Sequence, residues 1–386
     1  MKKASLLRIL GSTVIVFTAW STMAAAQSIK IGVIEPLTGA FAASGNYVTN
    51  GAKIAAEEIN AEGGVLGQKL ELIIEDNKSN PTEAAAVAEK LLVSDKVPVL
   101  MGAWGSSLTL AVMPKLAEYK VPMLVETSAA TKITSLGNPY VFRTAPTSVM
   151  EADFFKDKID AFKLKKVDFL VVNNDWGRGT VDDFKKMFKT KGVTVGLVET
   201  IDPAAQDISA QLAKMKSSDA DTLFVTAAVE QLTLVFKQAA ALGFKKPIIT
   251  TGGSQNPDQL IAQAGATADG TMHLTTFTPW VPEATAFPAL TTKYVEAWAK
   301  RGYAFPGVTE SFRGYDAIRV IAAAIKGAGK AEPEAIRAAL WKVNLDGLVG
   351  KITFAKLGPK GAESGQSTPE FRVLKIENGK ISVVKN

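Results

Sequence analysis

Residues 97–131 read VPVLMGAWGSSLTLAVMPKLAEYKVPMLVETSAAT, and this stretch decides the fold. The β-branched run 97–101 passes through Gly102-Ala103-Trp104-Gly105 into an amphipathic segment, 109–119, and returns as the short run 122–125. Strand, helix and strand at this spacing make a right-handed crossover between parallel strands. The alternation continues in both directions. Runs at 29–34, 70–74, 167–172, 193–198, 222–226 and 247–250 are separated by helix-like segments at 51–60, 82–94, 150–162, 180–190, 208–216 and 230–242. The fold class that follows is α/β, with parallel sheets covered by helices and every strand-to-helix loop on one edge. Three further helices are expected at 287–301, 310–326 and 333–342. A terminal pair of strands, 371–376 and 381–384, is joined by Glu377-Asn378-Gly379-Lys380, where Asn-Gly signals a hairpin.

Composition narrows the chemistry. The chain has 386 residues, 47% hydrophobic and 21% charged, which suits two globular domains. It has no cysteine and one histidine, His273. Disulfides, thiolate metal sites and cysteine nucleophiles are excluded, and a Ser-His-Asp triad would rest on His273 alone. That histidine, between Met272 and Leu274 in a strand-like run, reads as structural. No P-loop and no G-x-S-x-G elbow occurs; Gly252-Gly253-Ser254 is the nearest approach to the latter. The glycines of 62–67 follow a helix rather than a strand, so they end that helix instead of cradling a dinucleotide. No cofactor and no metal is expected.

The first 26 residues read as an export signal. Lys2, Lys3 and Arg8 precede an apolar stretch, 9–20, and Ala24-Ala25-Ala26 offers a cleavage site before Gln27. The apolar stretch is shorter than the ~20 residues of a spanning helix. Cleavage there leaves 360 residues and takes the formal charge from +6 to +3. Without a cysteine at that site no lipid anchor is possible, and a Gram-negative periplasm is the expected location. The basic clusters Lys163-Lys165-Lys166 and Lys185-Lys186 read as solvated helix faces, so neither nucleic acid nor membrane is an expected partner.

A series of motifs, in order, carries a resemblance. It runs through Ile31-Gly32-Val33-Ile34-Glu35-Pro36-Leu37-Thr38-Gly39, Asn50-Gly51-Ala52, the 59–67 segment, Gly102-Ala103-Trp104-Gly105-Ser106-Ser107, Thr127-Ser128-Ala129-Ala130-Thr131 and Asn174-Asp175-Trp176-Gly177-Arg178-Gly179. Together these resemble the branched-chain amino-acid type of periplasmic binding protein, which feeds ABC importers. The resemblance covers nearly all of the chain from Ile29 onward. It implies two Rossmann-like, doubly wound domains joined by three crossovers, with a ligand cleft between them that closes by hinge bending. The expected lobes are 27–145 plus 276–350 and 146–275 plus 351–386. A monomer is expected, with a small carboxylate and a membrane permease as partners.

By the same resemblance, Ser106, the backbone at Ala129 and the Thr131 hydroxyl hold a ligand carboxylate, with Ser128 in the same loop. Helix capping by Ser106 and Thr131 is the structural alternative. The start of a helix after a glycine loop is in any case an anion site, through its unpaired amides and dipole. Trp104 and Trp176 lie in the cleft loops and would flank the ligand.

Where family members hold an amino-acid ammonium with an acid, this chain has Gly252. Ala228 and Ser44 stand where bulky ligand-side aromatics are common. Loss of the acid points to a carboxylate without an α-amino group, because a buried ammonium needs a partner. Loss of the aromatics suggests a wider cleft, and an aromatic acid between the two tryptophans fits both changes. Glu230, or else Glu126, remains a displaced acidic partner if the ligand is an amino acid. Two other classes stay open: a secreted α/β hydrolase using Ser254 and His273, and a cytosolic ligand-responsive regulator on the same fold.

Overall fold

The β-branched runs become the centres of two sheets. In the computed structural model, which describes residues 28–252 and 257–384, strand Ile29–Glu35 pairs in parallel with both Leu70–Asp76 and Leu100–Gly102. The first sheet has seven strands, in the order Ala355–Leu357, Ser364–Gln366, Val141–Arg143, Met123–Val125, Leu100–Gly102, Ile29–Glu35, Leu70–Asp76. The second repeats the plan: Lys380–Val383, Arg372–Glu377, Met272–Thr275, Ile248–Thr251, Thr222–Thr226, Lys166–Val172, Thr194–Ile201. In each, the first strand of the lobe lies between the second and the third, so the winding reverses beside it. Ligands of such sheets bind outside the carboxyl ends of the strands at that point. The expected α/β class with two doubly wound domains is what the chain adopts.

Alternation along the strands packs both faces of each sheet. In Lys166–Val172, Val167, Phe169 and Val171 join the aromatic cluster of Phe155, Phe184, Phe188 and Phe224, while Leu170 faces Leu212, Val235 and Phe236. Burying each such side chain is worth about 1.5–3 kcal/mol. The terminal hairpin forms as its Asn-Gly signal predicts, with Asn378 and Gly379 both left-handed (φ 51° and 68°). Among the described residues no helix is long and apolar enough to cross a membrane. The expected export signal lies outside the described residues.

The lobe boundary expected at residue 350 is corrected. Ser364–Gln366 pairs with Val141–Arg143, and Ala355–Leu357 pairs with Ser364–Gln366, so both strands belong to the first sheet. The third passage between the sheets therefore falls at 367–371, after the earlier ones at 144–147 and 276–287. These two strands are three residues each and sit among Gly, Lys and Pro, which leaves no period to read. Their pairing is fixed by tertiary contact, as where Gly365 lies against the Phe142 ring.

Candidate functional site

The cleft wall starts from two adjacent strand ends. After Leu100–Gly102 the chain turns through Trp104 and Gly105 into helix Ser106–Tyr119. After Met123–Val125 it turns through Thr127, Ser128 and Ala129. Trp104, Gly105, Ser106, Thr127, Ser128 and Ala129 line one side of a pocket whose other side is Trp176 and Gly252 of the second lobe. With the lobes in contact, the cavity left between these walls is only about 10 Å³, room for about one water. None of these lining side chains is charged. The start of helix Ser106–Tyr119 points its free amides and positive dipole end at this space.

The loop groups are held in place. The Ser106 hydroxyl is buried and accepts the Ala130 N–H at 3.0 Å. The Ser128 hydroxyl lies 2.7 Å from that of Thr109 and donates to the Ala103 carbonyl at 3.1 Å. The Ala129 carbonyl accepts from the Ser148 N–H at 2.9 Å and from the Ser148 hydroxyl at 3.2 Å. Trp104 packs on Phe41 with ring centroids 5.0 Å apart, and its indole N–H donates to Glu310 at 3.4 Å. The Trp176 indole N–H is buried with no acceptor among the described residues.

The lobes meet around this pocket through polar contacts. Asp175 accepts from the Ser107 hydroxyl at 2.7 Å and pairs with Lys132 at 2.6 Å. The Thr131 hydroxyl donates to Asp183 at 2.7 Å. Glu230 accepts from the Ser44 N–H and hydroxyl, one on each carboxylate oxygen, both at 3.0 Å. Beyond Glu230 the seam widens into an open groove of about 640 Å³. With these contacts made, the arrangement is a closed cleft.

Of the residues expected at the site, Trp104, Ser106, Ser128, Ala129, Trp176 and Gly252 are brought together on one pocket. Thr131, Ser44, Ala228 and Glu230 do not line it. Thr131 joins the lobes through Asp183, Ser44 and Glu230 hold each other, and Ala228 is fully buried just before helix Val229–Ala241. Trp176 is in the first turn of helix Asp175–Thr190 rather than in a loop, because the Asn174 side chain caps that helix on Gly177 at 3.0 Å. The wider cleft expected from Ala228 and Ser44 is not there, since neither faces the pocket. Gly252 opens no room either. A Cβ on Gly252, whose φ is +88°, would sit 2.1 Å from Cζ2 of Trp176, so the indole fills the space that a side chain would have taken.

Apart from Glu126, which the sequence already offered as an acidic partner, sequence reasoning missed what lies behind the loops. Arg143 is fully buried and donates to the carbonyls of Ser128 (3.0 Å) and Ala130 (2.8 Å), to Gln366 (2.7 Å) and to Thr134. Burial pulls its pKa down to about 9, which still leaves it charged near neutral pH. Beneath Trp104 lies a buried acidic group of Glu35, Glu126 and Glu310, the last paired with Arg313 at 2.5 Å. Glu126 is pushed up to about 7 by burial, and nearby Glu151 to about 8 by burial. Glu35 is raised well above the carboxylate range, by burial first and the Glu126 charge second. Glu35 and Glu126 meet no donor while both are ionised, and protonating one lets it serve the other. The signal available was Arg143 and Glu35 standing beside apolar runs, where charged residues are rare.

Among the described residues no group of His, Cys, Asp or Glu is placed to hold a metal ion. His273 is fully buried, with Nδ1 2.8 Å from the Thr250 hydroxyl and Nε2 3.0 Å from that of Thr271. Burial lowers its pKa to about 3. Both nitrogens are committed to threonines, which leaves none to activate a serine; Ser254 lies outside the described residues.

Comparison with known proteins agrees with this geometry. A Leu/Ile/Val-binding protein of Rhizobium johnstonii is 31% identical over 378 residues, which cover 97% of this chain and 98% of that one. The substrate-binding protein LivJ of a Streptococcus pneumoniae branched-chain amino-acid transporter, solved with isoleucine, superposes with a TM-score of 0.79 at 26% identity, over 93% of this chain and all of that one. An ABC-transporter solute-binding protein of Rhodopseudomonas palustris, solved with 3,4-dihydroxybenzoic acid, gives 0.79 at 26% identity, over 92% and 95% of the two chains. The model of the family described as periplasmic binding protein matches residues 28–380. With two doubly wound lobes closing on one small pocket, the chain belongs to the periplasmic binding protein family.

Proposed function

We propose that this protein is the solute-binding component of an ABC importer and captures a small aromatic carboxylate between its lobes. The observation that carries the ligand class is the uncharged pocket wall: two indoles, one from each lobe, with serine and threonine hydroxyls, backbone amides and a helix start. Such a wall suits a flat ring and an anion, and it gives an ammonium no carboxylate to meet. The orphaned Trp176 N–H supports a ligand that brings an acceptor of its own. Closure follows from differential affinity, because a ligand touching both lobes favours the state in which they meet. Export to the periplasm and delivery to a membrane permease belong to the same reading.

A second reading, an amino-acid ligand, is favoured by the burial of Glu230 at the lobe seam, where a displaced ammonium partner would stand. A thermal-shift screen of aromatic acids, keto acids and amino acids separates the two, since a cleft ligand raises the melting temperature by mass action. The aromatic reading expects benzoate-type acids to give the largest shift. A large shift with leucine, isoleucine or valine and none with the aromatic acids overturns it.

A further inference from the structure

Arg143 is a buried cation whose only partners are neutral. Its guanidinium holds two loop carbonyls, the Gln366 amide oxygen and the Thr134 hydroxyl, and among the described residues it forms no ion pair. A buried charge left without a counter-charge is costly, so its field is not cancelled locally. One of the carbonyls it holds is that of Ser128, and the N–H of that same peptide group belongs to Ala129, which lines the pocket. A cation bonded to the oxygen of a peptide group draws electron density from its nitrogen and makes the N–H a stronger donor. Among the described residues no acceptor is bonded to the Ala129 N–H. Gln366 fixes the other side of the guanidinium while donating to the carbonyls of Ala145 (2.8 Å) and Ser367 (2.7 Å), which lie on two of the passages between the lobes.

We propose that Arg143 is a positioning residue that makes this pocket select an anion: its charge reaches the ligand through the Ser128–Ala129 peptide group, without the side chain entering the pocket. The proposal rests on the reading of the Ala129 loop as the carboxylate seat, but not on the ligand being aromatic. A wall of neutral groups would otherwise discriminate weakly between a carboxylate and its uncharged isostere. With a cation one peptide group away, the carboxylate is preferred.

The test is calorimetry with two pairs of probes, benzoate against benzamide and leucine against leucinamide, on wild type and three variants. Wild type should prefer the carboxylate of whichever pair it binds by on the order of a hundredfold. Arg143→Gln removes the charge and keeps a donor. Thr134→Asp leaves Arg143 in place and sets a carboxylate beside it. Either should cut that preference at least tenfold, while affinity for the amide holds within about threefold. Arg143→Lys keeps the charge and should keep the preference. Folding is checked by a cooperative melt, and if Arg143→Gln fails that check, Thr134→Asp and Arg143→Lys decide. Wild-type preference in a folded Arg143→Gln or Thr134→Asp, or its loss in a folded Arg143→Lys, overturns the proposal, as does a wild type that binds neither carboxylate. Leucine binding without benzoate overturns only the aromatic reading, and the leucine pair then decides this one.

Discussion

Glu230→Gln separates the two ligand readings by the size of its effect on binding. Both Glu230 oxygens are taken by Ser44, through its N–H and its hydroxyl at 3.0 Å each. Glutamine is isosteric. Its oxygen still accepts the N–H, and its amide donates to a hydroxyl that turns to accept. Two charge-assisted bonds of about 1.5–3 kcal/mol become two neutral ones of about 0.5–1.5 kcal/mol, a gross loss of roughly 2 kcal/mol. Burial already raises the pKa of Glu230, so neutralising it returns part of that loss. The net cost to closure is about 1 kcal/mol, or roughly fivefold in affinity. If Glu230 instead held a ligand ammonium, the same substitution would strand a buried charge and cost about 3–5 kcal/mol, roughly 150-fold or more. Calorimetry with benzoate and with leucine, before and after the substitution, reads the difference. A loss beyond a hundredfold for any ligand refutes the role of Glu230 as a bond between lobes.

Ser106→Ala leaves the buried Ala130 N–H without its acceptor and should weaken ligand binding about ten- to a hundredfold. Thr131→Ala, which loses only the bond to Asp183, should cost tenfold at most; the reverse ranking by calorimetry contradicts the placement of Thr131 outside the pocket. Gly252→Ala drives a Cβ into the Trp176 ring from a left-handed backbone, which costs about 1–3 kcal/mol for overpacking and ~1–2 kcal/mol for the conformation. Tryptophan emission should shift and affinity fall, and an unchanged spectrum would show that the indole is not against Gly252.

The stability that three buried carboxyls contribute should decline as pH rises from about 4 to about 8. Asp316, Glu126 and Glu151 sit at about 6, 7 and 8, above their ordinary 3.8–4.5, so the folded state holds protons that the unfolded chain has released. Their contribution is complete below about pH 4 and is lost progressively up to about pH 8, as the folded carboxyls ionise. His273, pulled down to about 3, acts oppositely and removes stability as pH falls from about 6.5 towards 3. A melting temperature that rises between pH 6.5 and 8 contradicts these assignments.

The fold was legible wherever β-branched runs and helical periods are long, as at Ile29–Glu35 and Lys166–Val172. It was not legible at Ala355–Leu357 and Ser364–Gln366, whose pairing depends on neighbours rather than on their own residues. The same division holds at the site. Trp104, Ser106 and Ala129 follow strands recognisable from sequence, so their loops could be placed on the cleft. The bonds from Thr131 to Asp183 and from Ser44 to Glu230 join positions 52 and 186 residues apart, and only the closed arrangement of the lobes brings them together. The volume argument failed for a related reason. A missing side chain opens space only if nothing else moves in, and at Gly252 the Trp176 indole occupies it.

The central claim is that an uncharged pocket between Trp104 and Trp176 holds an aromatic carboxylate. Calorimetric titration of the protein with benzoate and with leucine, under the same conditions and at equal concentration, tests it most directly. The account predicts benzoate binding in the micromolar range or tighter, and no measurable heat with leucine. Leucine bound in that range, with benzoate silent, contradicts it.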